Sequence, residues 1–410
     1  MSRSDPHLLA LAIGLLVGTV SCQSGDVEAN ASPIEFRDSA GVTIVENPAP
    51  VGDPRLPWSL SAEPQADIGT LDGPAPLQLF RALHSTRHRD GRILVVNSGS
   101  QEIRSFDAQG NHLASWGGDG EGPGEYRLPL RVASWTGDSV AVWDTRLRRV
   151  TILSGDGTLG RTVDLGGEDL SGLVQLADPL PGGRLVLVHQ DIMAVAPSNG
   201  VHRNPTIASV LDATGEIQSS LPEQPGDEIF MMLGDGSIDV LRFAFAKSFV
   251  ARAQGDRILF GPNDTFDLRL YTDAGELERI VRLGTPPRVV TDADWEAEID
   301  RRVEGAAEER RPGLRTLYAE IPKPDALPAF ADALVDPLGH IWANVFRPPV
   351  EPGPAVWAVF DPEGRFLGYV ETPEGLILHQ VGPDYILGHS TDDLDVEHIQ
   401  LWGLDRGPDA

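Results

Sequence analysis

Apolar and polar positions alternate with period two through residues 81–131, RALHSTRHRDGRILVVNSGSQEIRSFDAQGNHLASWGGDGEGPGEYRLPLR, and turn-forming residues interrupt the alternation. The pattern predicts four antiparallel strands, from Leu83 to Arg87, Ile93 to Asn97, Ile103 to Asp107 and Leu113 to Trp116. Turns fall at Asp90-Gly91 and at Ala108-Gln109-Gly110.

The outline of this unit recurs. The third strand and its turn reappear as FDAQGNHL at Phe106, LSGDGTLG at Leu153, LDATGEIQ at Leu211, YTDAGELE at Tyr271, FDPEGRFL at Phe360 and a degraded LWGLDRGP at Leu401, six copies in all. The turn into the second strand recurs six times as well, as DGRILVV at Asp90, GDSVAVW at Gly137, GGRLVLV at Gly182, GDRILFG at Gly255, LGHIWAN at Leu338 and GPDYILG at Gly382. A single unit of this kind cannot cover both of its faces, so the units must stack. Radial stacking of four-stranded sheets makes a β-propeller. The predicted fold class is therefore all-β: a six-bladed β-propeller of four-stranded antiparallel blades over residues 58–410. The last copy runs out after its third strand. The segment 58–80, which parallels the stretch ASWGGDGEGPGEYRLPLRVA between the first two blades, supplies the missing strand and closes the ring over an otherwise open sheet edge. Residues 36–57 form an N-terminal extension whose strand, Val42 to Glu46, adds to a sheet edge.

One segment leaves the period-two pattern. In residues 291–322, Trp295, Ile299 and Val303 recur at helical spacing, Thr291 with Asp294 approximates a capping box, and Pro312-Gly313 separates this run from Leu314, Leu317 and Tyr318. A helical insertion is predicted there, between blades four and five, either capping the channel mouth or packing on the rim.

Composition sharpens the picture at the N-terminus. The first 21 residues carry Arg3, an apolar run from Leu8 to Val17 and small residues ahead of Cys22, the single cysteine of the 410-residue chain. This is the layout of a signal peptide, too short for a stable membrane span. Thr19-Val20-Ser21-Cys22 resembles a bacterial lipobox, with Thr19 in place of the usual Leu. That resemblance implies lipidation at Cys22, a polar tether over 22–35 and a lipid-anchored, extracytoplasmic protein. Gln23 is compatible with sorting to the outer membrane. The alternative is an ordinary secretory signal with an incidental cysteine. A net charge of -28 disfavours nucleic acid and anionic headgroups as partners of the folded body. The content of 44 glycines and 33 prolines suits a globular, turn-rich chain, not a disordered one.

The stretch WGGDGEGPGEYRLPLRVASWTGDSVAVWDTRLRRVTILSGDGTL, with its GPGEY element and with Asn97 and Asp144 after second strands, is similar to an NHL-type repeat. The region from Trp58 to Arg406 resembles six-bladed NHL- or TolB-like propellers, and above all bacterial lipoproteins described only by that architecture. The first two blades carry most of the resemblance.

Connections after second and fourth strands share one face, and the longer segments (190–205, 261–267, 346–355 and 389–396) fall there, which marks it as the variable face. The second strands end at Asn97, Asp144, His189, Asn263 or its neighbour, Asn344 and His389. These residues form a candidate channel-mouth ring that could hold a ligand or a metal. The structural alternative is that Asn and Asp at strand ends bond the following turn. His84, His88 and His379 lie on or beside first strands, near the channel. The GGDGEGPGEY loop lacks the Lys-Ser/Thr and helix of a phosphate loop, TDDLDVEH at Thr391 lacks the spacing of a calcium loop, and neither HExxH nor GxSxG occurs. No cofactor is predicted, with a divalent cation at the ring as the alternative.

Two functions follow. The first is a monomeric binding or scaffold module that docks a periplasmic or envelope protein, peptide or glycan through its variable face, tethered to the membrane by its lipid and touching no nucleic acid. The second, implied by similar propellers, is a cation-assisted hydrolase, lactonase or lyase at the mouth of the channel.

Overall fold

The computed structural model describes residues 33–165, 172–191, 197–234 and 237–407. The signal segment and Cys22 lie outside the described residues, as does most of the tether.

The second strands of the sheets bury both faces along most of their length. In the second strand, Ile93–Asn97, every position is buried: Ile93 and Val95 pack toward the last sheet, while Leu94 and Val96 pack toward the second. A strand covered on both sides reads as a continuous apolar run, and only outer strands such as His112–Gly117 keep the clean period of two. The four strands of the first sheet are Ala82–Arg87, Ile93–Asn97, Glu102–Phe106 and His112–Gly117, within one residue of the sequence-based bounds.

Six sheets form. Their inner strands are Ala82–Arg87, Pro129–Ser134, Leu173–Leu180, Phe249–Gln254, Phe330–Val335 and Ile377–Val381. Each inner strand touches the next, and the last touches the first, so the sheets close into a ring. Six apolar clusters fill the spaces between successive sheets. This is an all-β propeller with its inner strands around a central channel.

The ring is closed by the N-terminal chain. Ala66–Ile68 pairs with Glu397–Asp405 of the last sheet through Ile399↔Ile68 and Leu401↔Ala66, and Ser59–Leu60 extends the same edge. The hairpin Glu35–Ser39/Val42–Asn47 docks elsewhere: Val42–Asn47 lies parallel to Leu277–Leu283 on the outer edge of the fourth sheet. Asn47, 3% exposed, pins it there, donating to the carbonyls of Arg282 and Gly364 and accepting from Phe366 N–H.

The third sheet carries an excursion that the repeat pattern does not show. Its third strand, Gly200–Leu211, runs on past the sheet and pairs with Gln224–Leu233, which turns back as Ile238–Leu241. Helices α1 (Asp292–Glu304) and α2 (Arg311–Glu320) pack on this excursion, with Val303, Tyr318 and Ile321 against Phe230 and Phe243. Thr291 and Asp294 form the reciprocal capping box. The helical pair therefore leans on the rim beside the third sheet, because the excursion offers it an apolar face.

Candidate functional site

The strand-end residues divide into two groups. Asn97, Asp144 and Asn263 are buried and bond backbone. Asn97 Oδ1 accepts from Phe80 N–H at 2.7 Å and its amide donates to Ser100. Asp144 accepts from Arg127, Leu128 and Leu147 N–H at 2.7, 3.1 and 2.9 Å. Asn263 accepts from Ser248 N–H and donates to the Phe330 carbonyl. Each tethers the end of a second strand to the backbone that leads into the adjoining first strand. His189, Asn344 and His389 are half-buried in different sheets, and of the three only His389 joins the histidine stack described below. Among the described residues no group of three His, Cys, Asp or Glu side chains is placed to hold a metal ion. The 389–396 segment is not a long loop: the ladder continues to Thr391↔Glu397, and Asp392 spends a carboxylate oxygen on Leu394 and Val396 N–H within its own turn. His88 is also structural, buried against Asp90 at 3.0 Å.

The channel itself is the larger feature. A cavity of about 850 Å³ opens at the face of the tight turns, lined by inner-strand ends and by Thr136-Gly137, Pro181-Gly182 and Gly255. A smaller one of about 390 Å³ opens at the opposite mouth, and both are lined by Arg131 and Arg252. These two arginines stand at the waist. Around the waist, each of the six inner strands contributes one polar side chain, in the order His84, Arg131, Asp178, Arg252, Asp332 and His379. In five of these strands the pairing register shifts at or beside that residue. A bulge re-aims one side chain out of the alternation, and here it frees a polar group from the apolar space between sheets.

The belt has an ionic side and an imidazole side. Arg131 donates to Asp178 at 2.6 Å, and the other Asp178 oxygen accepts from Ala253 N–H at 2.9 Å. Arg252 grips both oxygens of Asp332 at 2.8 and 2.9 Å. Burial lowers the Arg131 pKa against the pull of Asp178, whereas Asp332 and Asp178 overcome burial and raise that of Arg252. Both remain cationic at neutral pH. Opposite them, His84 stacks on His379 at 5.1 Å between centroids, and His379 on His389 at 6.3 Å.

Burial, then the neighbouring Arg131, His379 and Arg252, holds His84 well below the usual histidine range. His379 is lowered to about 3 by burial, then by His389 and the two arginines. Both rings are neutral at pH 7. Ser85 N–H donates to His379 Nδ1 at 3.0 Å, so the proton of that ring sits on Nε2. His84 Nδ1 is buried without a partner. The belt thus sets guanidinium and imidazole groups around one open volume. Ser85, within 2.9 Å of His379 Nδ1, is fully buried and does not line it.

His84 and His379 were visible in the sequence as first-strand histidines. Arg131, Asp178, Arg252 and Asp332 were not singled out. The signal that could have found them is a charged residue interrupting the apolar run of a first strand in successive repeats.

No family model matches the chain, and no curated protein does. Among solved structures it is similar to a protein from Bacteroides fragilis described as exported, at 12% identity over 89% of this chain and 100% of that one, with a TM-score of 0.51. It is also similar to a DUF4221 family member from Bacteroides vulgatus, at 12% identity over 85% and 99%, TM-score 0.49. A gluconolactonase from Xanthomonas campestris aligns at 11% identity over 90% and 98%, TM-score 0.41. At 12% identity the likeness to the first of these is one of fold alone.

Proposed function

We propose that this chain is an exported, six-bladed propeller lipoprotein, anchored through Cys22, that binds a small polar molecule in its central channel. The observation that carries the reading is the waist belt, in which one polar side chain per inner strand converges on an open volume. A cavity of about 850 Å³ is in the range that holds small organic ligands. The commitment of Asn97 and Asp144 to backbone supports moving the ligand from the variable-face ring into the channel. A second reading, a hydrolase or lyase, is favoured by one observation: the imidazole of His84 lines the cavity together with the guanidinium groups of Arg131 and Arg252, which would stabilise negative charge developing on a substrate oxygen.

The test is ligand-observed saturation-transfer NMR of neutral, cationic and anionic small molecules against the native chain and Gln254→Trp, which fills the tight-turn mouth. Compounds bound by the native chain and lost in the variant are expected. If none binds, or if binding survives the plug, the channel is not the site. Turnover of a bound compound, abolished in His84→Gln, would establish the second reading.

A further inference from the structure

The channel is electrostatically unlike the rest of the molecule. Around it is a chain of net charge -28, yet the larger cavity is lined by Arg87, Arg89, Arg131 and Arg252 against the single carboxylate of Asp178. Asp332 sits just outside, held by Arg252. Both carboxylates are already engaged: Asp178 between Arg131 and Ala253 N–H, and Asp332 between Arg252 and Ala333 N–H. The Arg131 and Arg252 side chains nevertheless keep 16% and 22% exposure and line the cavity. An oxyanion in the cavity would accept from accessible guanidinium N–H groups, and such charge-assisted hydrogen bonds are the strong ones. At the mouth, Arg87 lies over the Tyr385 ring at 4.6 Å, and the carboxylate nearest to it, that of exposed Asp384, is 3.9 Å away. Arg89 is exposed and donates to the Trp135 carbonyl. Two outer cations thus stand ahead of two inner ones, an arrangement that draws an anion inward.

Building on the channel-binding reading, we infer that the ligand is a small organic oxyanion, a carboxylate or phosphate, whose charged group docks on Arg131 and Arg252. Its uncharged part occupies the wider volume toward Arg87 and Arg89. The cavity is much larger than inorganic phosphate, so the organic body contributes to affinity.

The experiment is isothermal titration of the full-length protein in a neutral detergent with glycerol 3-phosphate, succinate, inorganic phosphate and neutral glycerol. Glycerol 3-phosphate or succinate is expected to bind, inorganic phosphate more weakly, and glycerol not at all. Arg87→Gln with Arg89→Gln, at the exposed mouth, should weaken binding about tenfold and flatten its salt dependence. Arg131→Gln combined with Asp178→Asn, which leaves no buried charge alone, should abolish it while circular dichroism stays native. Anion binding indifferent to both variant pairs overturns the inference, because the anion then sits elsewhere. If neutral compounds bind in the channel and are lost with Gln254→Trp while no anion binds, the anion inference fails and the channel reading stands. If nothing of any charge binds in the channel, both fail.

Discussion

Asp144→Ala separates a structural role from a ligand role for the strand-end residues. Its carboxylate is fully buried and accepts three backbone N–H groups, from Arg127, Leu128 and Leu147. Those donors lie on the crossover from the first sheet and on the turn after the second strand. Truncation leaves all three without that acceptor, in a part-buried setting. An unmet buried donor costs about 1–3 kcal/mol, and water reaching the vacated space recovers part of that, so a loss of about 3–5 kcal/mol is expected. Asp144→Asn keeps one carbonyl acceptor but turns an amide N–H onto a donor, and should lose about half as much. The assay is equilibrium urea unfolding followed by far-ultraviolet circular dichroism, where the midpoint should fall with little change of slope. Asp138→Ala, at an exposed turn aspartate, serves as the control and should stay within about 0.5 kcal/mol of native. Channel binding of the folded Asp144→Ala protein should equal that of the native chain. A stability loss below about 1 kcal/mol, or native stability with lost binding, would refute the argument and return Asp144 to the ligand.

Two further outcomes follow from the packing. Asn47→Ala removes three bonds that join the N-terminal hairpin to the fourth and fifth sheets; it should cost about 2–4 kcal/mol, with faster hydrogen exchange over 42–47, and unchanged protection there would refute it. His379 is neutral in the fold, its pKa depressed to about 3 against about 6.5 unfolded, so between those values the unfolded chain binds more protons. Its contribution is therefore full above pH 6.5, is lost as pH falls toward 3 and falls no further below that. His379→Gln should flatten the pH dependence of the urea midpoint across that window, and an unchanged slope would count against a buried neutral ring.

Much of the architecture was legible because it is local. Paired apolar runs separated by Asp-Gly and Gly-Asp turns specify hairpins within a few residues, and repetition of the unit implies stacking, since no single sheet can cover its own faces. The Thr291/Asp294 cap was readable for the same reason, because its two partners lie three residues apart. The binding surface was not local. Asn97 and Asp144 occupy the right place in the repeat for a ring, but whether such a side chain faces the channel or the backbone of the next strand depends on loops that sequence periodicity does not orient. The β-bulges that turn His84, Asp178, Asp332 and His379 inward displace register by one or two residues, a change the period-two pattern cannot carry. The third-sheet excursion escaped for a related reason: its strand Gly200–Leu211 is long enough to serve two partners, and nothing within it marks where one pairing ends.

By itself, then, the sequence determined the repeating hairpins, the net acidity, the helical insertion and the segment that closes the last sheet, all set by neighbouring residues or by composition. Only the tertiary structure decided that residues spread from 84 to 379 meet in one belt, that four arginines collect in the channel of an acidic protein, and that the two histidines stay neutral. Convergence across six inner strands, and the burial and mutual field that shift a pKa, are properties of distance in space, which separation along the chain does not contain.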